Sequence, residues 1–131
     1  MKKSNYGFSK TVDLSFEQAI QKVTEELQKE GFGILSDIDV QATLKKKLDV
    51  DFRPYRILGA CNPPNAFKAL QAEEQIGLLL PCNVIVYVNE QGQTVVAVID
   101  PVAAMQVVGN PELNKVAEEI LKKLQTALSR V

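Results

Sequence analysis

Two Cys-Asn pairs, Cys61-Asn62 and Cys82-Asn83, are the residues of this chain best suited to chemistry. A thiolate is a nucleophile and a soft metal ligand, and a neighbouring amide can orient a polar ligand. Each pair stands at a strand boundary: Cys61 ends the stretch Tyr55 to Cys61, and Cys82 opens the stretch Cys82 to Val88 just after Pro81. If those strands are neighbours, both thiols come to one end of a sheet, with Arg56, Asp100 and Met105 able to approach the same region. Arg56 interrupts an otherwise apolar strand and so needs a partner. Asp100 is one option, and an anionic ligand held by the planar guanidinium is the other.

Three chemistries fit the thiols, each with a plainer alternative. A cysteine at a helix start, as Cys61 is here, feels the positive end of the helix dipole, which favours a reactive thiolate. Against that, free cysteines in a reducing compartment are commonly small buried hydrophobes. Two thiolates with the thioether of Met105 would suit Cu(I), but the spacing of Cys61 and Cys82 is no recognised ligand pattern. A disulfide is disfavoured where thiols are kept reduced. Asn62 has a structural role available as a helix cap, whereas Asn83 lies inside a strand, where asparagine is disfavoured and needs hydrogen-bond partners if buried.

Composition removes whole classes of function. The chain has no histidine, so Ser-His-Asp and Cys-His catalysis and His-ligated zinc or haem are excluded. Fifteen basic and sixteen acidic residues leave a net charge of −1, which lacks the positive field that draws nucleic acid. The one basic run, Lys45-Lys46-Lys47, fans around a helix and reads as a solvated face. Adjacent acids such as Glu73-Glu74 diverge on a helix, so no general acid/base pair is visible. No segment approaches about 18 uninterrupted apolar residues, and no apolar h-region follows the basic N-terminus. A soluble cytoplasmic protein without cofactor is therefore expected. At 131 residues, a single domain over residues 1–131 is the default.

The elements that must position these residues are legible in part. Tyr6 to Asp13 alternates as a first strand. Ser15 with Gln18 forms a capping box, and Phe16, Ile20, Val23 and Leu27 recur at helical spacing until Gly31. Phe32 to Ile38 reads as a second strand, and Asp37 or Asp39 caps a short helix in which Val40, Leu44 and Leu48 share a face. After the third strand, Asn62-Pro63 starts a helix running to about Glu74, with Phe67 and Leu70 expected inward. Pro81 breaks an apolar stretch from Ile76 to Leu80. Asn89 to Gly92 is a turn between Cys82–Val88 and a strand from Gln93 to Ile99, and Val102 to Val108 forms a short helix. Asn110-Pro111 starts a last helix whose stripe includes Leu113, Val116, Ile120, Leu124 and Leu128. This order predicts an α+β fold of two layers: a mainly antiparallel sheet with the first and C-terminal helices on one face. A doubly wound parallel sheet is the alternative, weakened because no glycine-rich phosphate loop follows a strand.

The stretches Tyr-Arg-Ile-Leu-Gly-Ala-Cys-Asn-Pro (55–63) and Gly-Leu-Leu-Leu-Pro-Cys-Asn-Val (77–84) resemble the signature of domain-of-unknown-function family 302, over nearly the whole chain. The resemblance implies a curved antiparallel sheet with two main helices, grouped with TATA-binding-protein-like folds, and makes a homodimer plausible. It carries no activity across.

Three functions stay open. One is a small-ligand module using Arg56, Asn83 and Asp100, with Cys61, Asn62 and Cys82 as further candidates. The others are a homodimeric interaction domain and a thiol-dependent enzyme on Cys61, alone or with Cys82.

Overall fold

The computed structural model describes residues 1–131. Six strands form one sheet: β1 Lys2–Lys3, β2 Gly7–Val12, β3 Gly33–Asp39, β4 Tyr55–Cys61, β5 Cys82–Val88 and β6 Thr94–Ile99. Their order is β1-β2-β6-β5-β4-β3, and every pairing is antiparallel, so the parallel alternative is set aside. The short β1 was not expected from the sequence. Two lysines carry no strand pattern, and pairing with Phe8 and Ser9 is what orders them.

The central strands turn one face to the core. Leu58, Ala60, Val84, Val86, Val96 and Val98 face one side and are almost wholly buried. Helices α1 (Phe16–Lys29) and α5 (Glu112–Ser129) cover that side, α1 against β3, β5 and β6, and α5 against β2 and β6. Val23 and Leu27 of α1 meet Leu113, Ile120, Leu124 and Leu128 of α5 in this core. The two-layer α+β arrangement expected from the sequence is the one observed.

Local signals set the helix ends. The Ser15 hydroxyl accepts from the Gln18 amide at 3.2 Å while the Gln18 side chain accepts from the Ser15 amide at 3.1 Å. Past the end of α1, Gly31 takes φ +84°, which a side chain would strain. Asp39, one of the two aspartates expected to cap the second helix, starts α2 (Val40–Leu48) by accepting from the Ala42 amide at 2.9 Å. Helix α3 (Pro63–Ala72) begins at Asn62 as expected, but its inward face differs. Asn65 and Ala69 are buried, whereas Phe67 and Leu70 stay 61% and 45% exposed. The small side chain at Ala69 lets α3 come close to α5, and that contact outweighs the pull of the two larger residues. The apolar stretch before Pro81 is a 3₁₀ helix, Glu74–Leu79, rather than extended chain. Helix α4 (Pro101–Met105) and a 3₁₀ helix, Gln106–Val108, stand where one short helix from Val102 to Val108 was expected.

Candidate functional site

The antiparallel register decides which of the candidate residues can meet. Ala60 lies opposite Cys82, and Gly59 opposite Asn83, so both Cys-Asn pairs reach the same end of the β4–β5 ladder. There, Cys61, Asn62 and Cys82 line one groove of about 320 Å³ between the sheet, α3 and the 3₁₀ helix. Phe32, Leu35, Leu70, Leu80 and Ile120 supply most of its remaining wall, and no charged residue lines it.

The two thiols differ in environment. Cys82 points towards the core and is only 5% exposed. Burial, and then the neighbouring Cys61 thiol, push its pKa up to about 11, so it is a protonated thiol at neutral pH. Cys61 is half-buried, one residue before the α3 cap, and is the thiol open to the groove. Met105 packs in the hydrophobic core and does not line the groove, so the structure does not gather the donor set that a Cu(I) site would draw on.

Asn62 builds the groove rather than lining it freely. Its Oδ1 accepts from the Asn65 amide at 3.4 Å and from Asn65 Nδ2 at 3.1 Å, while its Nδ2 donates to the Glu30 carbonyl at 3.2 Å. One side chain thus caps α3 and ties it to the end of α1. A second close fit lies beside it. A Cβ added to Gly59 would collide with the Ser36 hydroxyl and come within 2.8 Å of Pro81 Cγ, so β3, β4 and the start of β5 approach as they do only with glycine there.

The other three candidates lie elsewhere. Arg56 does not pair with Asp100. It grips Asp37 in a two-pronged bond, Nε to Oδ1 at 2.7 Å and Nη2 to Oδ2 at 2.8 Å, with Asp39 at 4.0 Å. That bond holds the Asp37 carboxyl below its ordinary pKa and lifts the guanidinium above its own. Arg56 sits opposite Val86, and Val86 opposite Val96, so a whole strand and four residues of β6 separate it from Asp100. Asp100 instead caps α4, accepting from the Val102 and Ala103 amides at 3.0 and 3.2 Å. Asn83 faces away from the helices and is exposed to water, so its amide needs no buried partner. It lines a separate cleft of about 420 Å³ on the open face of the sheet, with Tyr6, Ile85, Tyr87 and Ile99. Nearby on that face, the Tyr55 and Tyr87 rings stack with centroids 5.3 Å apart.

The model of a domain of unknown function, DUF302, matches residues 8–131. The chain belongs to the DUF302 family. The crystal structure of an uncharacterized conserved DUF302 protein from Bacillus stearothermophilus is similar at 30% identity, over 97% of this chain and 98% of that one, with a TM-score of 0.90. Among curated proteins no match is found. No helix of this DUF302 domain is long and apolar enough to cross a membrane.

The sequence reading missed the groove's walls. Leu80 ends the apolar stretch that Pro81 breaks, and Leu70 was expected to face inward, whereas both line the groove. The available signal was the crowding of Pro81 and Gly59 beside two cysteines, which marks backbone segments packed too closely for side chains to fill the space between them.

Proposed function

We propose that this DUF302 domain binds a small molecule in the groove formed by Cys61, Asn62 and Cys82. The observation that carries the reading is the wall itself: a concave surface of about 320 Å³, made of Phe32, Leu35, Leu70, Leu80, Ile120 and two sulfurs, with no charge. Leu35 and Leu70 are 70% and 45% exposed at its margin, so an occupant removes apolar surface from water. The size is at the small end for ligand pockets, and the lining asks for a compact, uncharged, apolar compound. Asn62 is engaged in its cap, and Cys82 is only 5% exposed whereas Cys61 is open to the groove. Any directed polar contact therefore falls to Cys61.

The test is the native mass of gently purified protein, before and after denaturation, for the wild type and for Leu70→Asp. Added mass that disappears on denaturation, and is missing from Leu70→Asp, supports the reading. Added mass that survives denaturation and maps to Cys61 favours thiol chemistry. Bare protein in both states, with no binding of an apolar fluorescent probe that Leu70→Asp weakens, overturns it.

A second reading is self-association. One observation favours it: no residue from 33 to 57 is buried.

A further inference from the structure

We infer a second ligand site, independent of the Cys61 groove: the cleft of about 420 Å³ on the open face of the sheet takes a small aromatic carboxylate. Its flat apolar body lies over β2, β6 and β5, and its anionic head meets Lys2 and Lys3.

Strand parity builds the cleft. Phe8, Val84, Val86, Val96 and Val98 turn to the helices and are buried, so their neighbours along each strand turn the other way. On that side Lys2 pairs with Ser9, Ser9 with Ala97, and Ala97 with Ile85, in one row from β1 to β5. The middle of the row is low. Ser9 and Ala97 are short, and Gly7 beside them has no side chain. The longer Ile85 and Tyr87 flank them on β5, and Lys2 flanks them on β1. A trough over β2 and β6 results.

Its lining is unusual for a sheet face that meets only water, where outward positions are commonly polar. Here Ile85, Tyr87, Val95 and Ala97 hold outward positions on β5 and β6, outside the helix-covered core cluster. Contiguous apolar surface of this kind marks a binding surface. The shallow floor left by Ser9 and Ala97 suits a planar ring better than a branched chain.

Charge selects the head group. Lys2 and Lys3 both line the cleft, and no acidic residue does. Neither lysine forms an ion pair within the chain. The Lys3 ammonium has only the Phe8 ring, 5.9 Å from its centroid. Two uncompensated cations at one end of an apolar trough favour a ligand that is negative at one end. The Ser9 hydroxyl and the Asn83 amide add hydrogen-bond donors that a carboxylate accepts from.

Amide NMR titration of the whole chain tests the site, with naphthalene carboxylate and its neutral carboxamide as probes. Shifts are expected for residues 2–9, 83–87 and 97–99, with the carboxylate binding at least about fivefold more tightly than the carboxamide. In the double variant Lys2→Gln, Lys3→Gln the carboxylate should fall to the carboxamide's affinity while the carboxamide is unchanged. Added salt should weaken the carboxylate alone. Ala97→Phe, which fills the floor from the solvent side, should abolish both sets of shifts, and Leu70→Asp, in the other groove, should leave them intact. Equal affinity for the two probes, or a carboxylate indifferent to the loss of both lysines, overturns the proposal. So does the absence of shifts, or shifts around Cys61 that vanish in Leu70→Asp. A wild type that sediments as a dimer and is split by Ala97→Asp also overturns it, because a second copy then occupies this face.

Discussion

Replacing Asn62 with alanine tests how the groove is held together. The Asn62 side chain is 8% exposed and makes three bonds, two as acceptor to Asn65 and one as donor to the Glu30 carbonyl. Losing an N-cap costs about 1 kcal/mol. The truncation also strands the Asn65 side-chain amide, on a residue 2% exposed whose Oδ1 already lacks a partner. The Glu30 carbonyl loses its donor as well, and each unpaired buried group costs at least about 1 kcal/mol. Together these give a loss of about 3 kcal/mol, or roughly 10 °C in melting temperature for a chain of this size. Asn62→Asp separates the contributions. It keeps an oxygen to accept both bonds from Asn65 and places a negative charge at the start of α3, but sets a carboxylate oxygen against the Glu30 carbonyl where Nδ2 donated, so it should cost about 2 kcal/mol. Urea unfolding of the three proteins, compared at equal m-value, measures the differences. A loss below about 1 kcal/mol for Asn62→Ala, or equal losses for the two variants, would refute the account of Asn62 as a double tie between α1 and α3.

Two further outcomes follow from the thiols and the ionised groups. At neutral pH an alkylating reagent should add once to native protein, at Cys61, and that adduct should vanish in Cys61→Ser; with a pKa of about 11, Cys82 should react only after unfolding, and its modification in native protein at the Cys61 rate would contradict its burial. Stability should decline at both pH extremes. The folded pKa of Cys82 is raised from 9.0 to about 11, so the protonated thiol's contribution is present below pH 9 and lost as pH rises through that window; Cys82→Ala should flatten the decline. Glu26, held down first by its bond from Lys29 and then by Lys22, and Asp37, held down by Arg56, lie below their ordinary values of 4.5 and 3.8. Their contribution is present above those values and lost as pH falls through the depressed ones, which acid titration of Asp37→Asn against the wild type will read.

The elements most legible in the sequence were those whose chemistry is local. Ser15 with Gln18, Asn62 with Pro63, and Asp100 with Pro101 each announce a helix start within four residues, and all three are found. The turn from Asn89 to Gly92 is equally local. What depended on neighbours distant in the chain was less legible. The inward face of α3 is set by its approach to α5, so the larger side chains Phe67 and Leu70 misled where Ala69 decided. The partner of Arg56 is set by which strand lies at the edge: β3 pairs with β4 and brings Asp37 within reach, whereas Asp100 lies beyond β5.

The division within Cys82-Asn83 follows from the strand period of two. Once Val84 and Val86 are placed in the core, Cys82 must share their side and Asn83 must face the other way. A single site using both residues of that pair was therefore never open to an ordered β-strand. At Cys61-Asn62 the same parity does not apply, because the strand ends there and Asn62 belongs to the helix cap. That change of backbone is what allows Cys61 and Asn62 to face one groove with Cys82. The groove is thus a consequence of ending β4 directly at a capped helix. A variant that inserts one residue between Cys61 and Asn62 should separate the thiols from the cap while leaving the β4–β5 register intact.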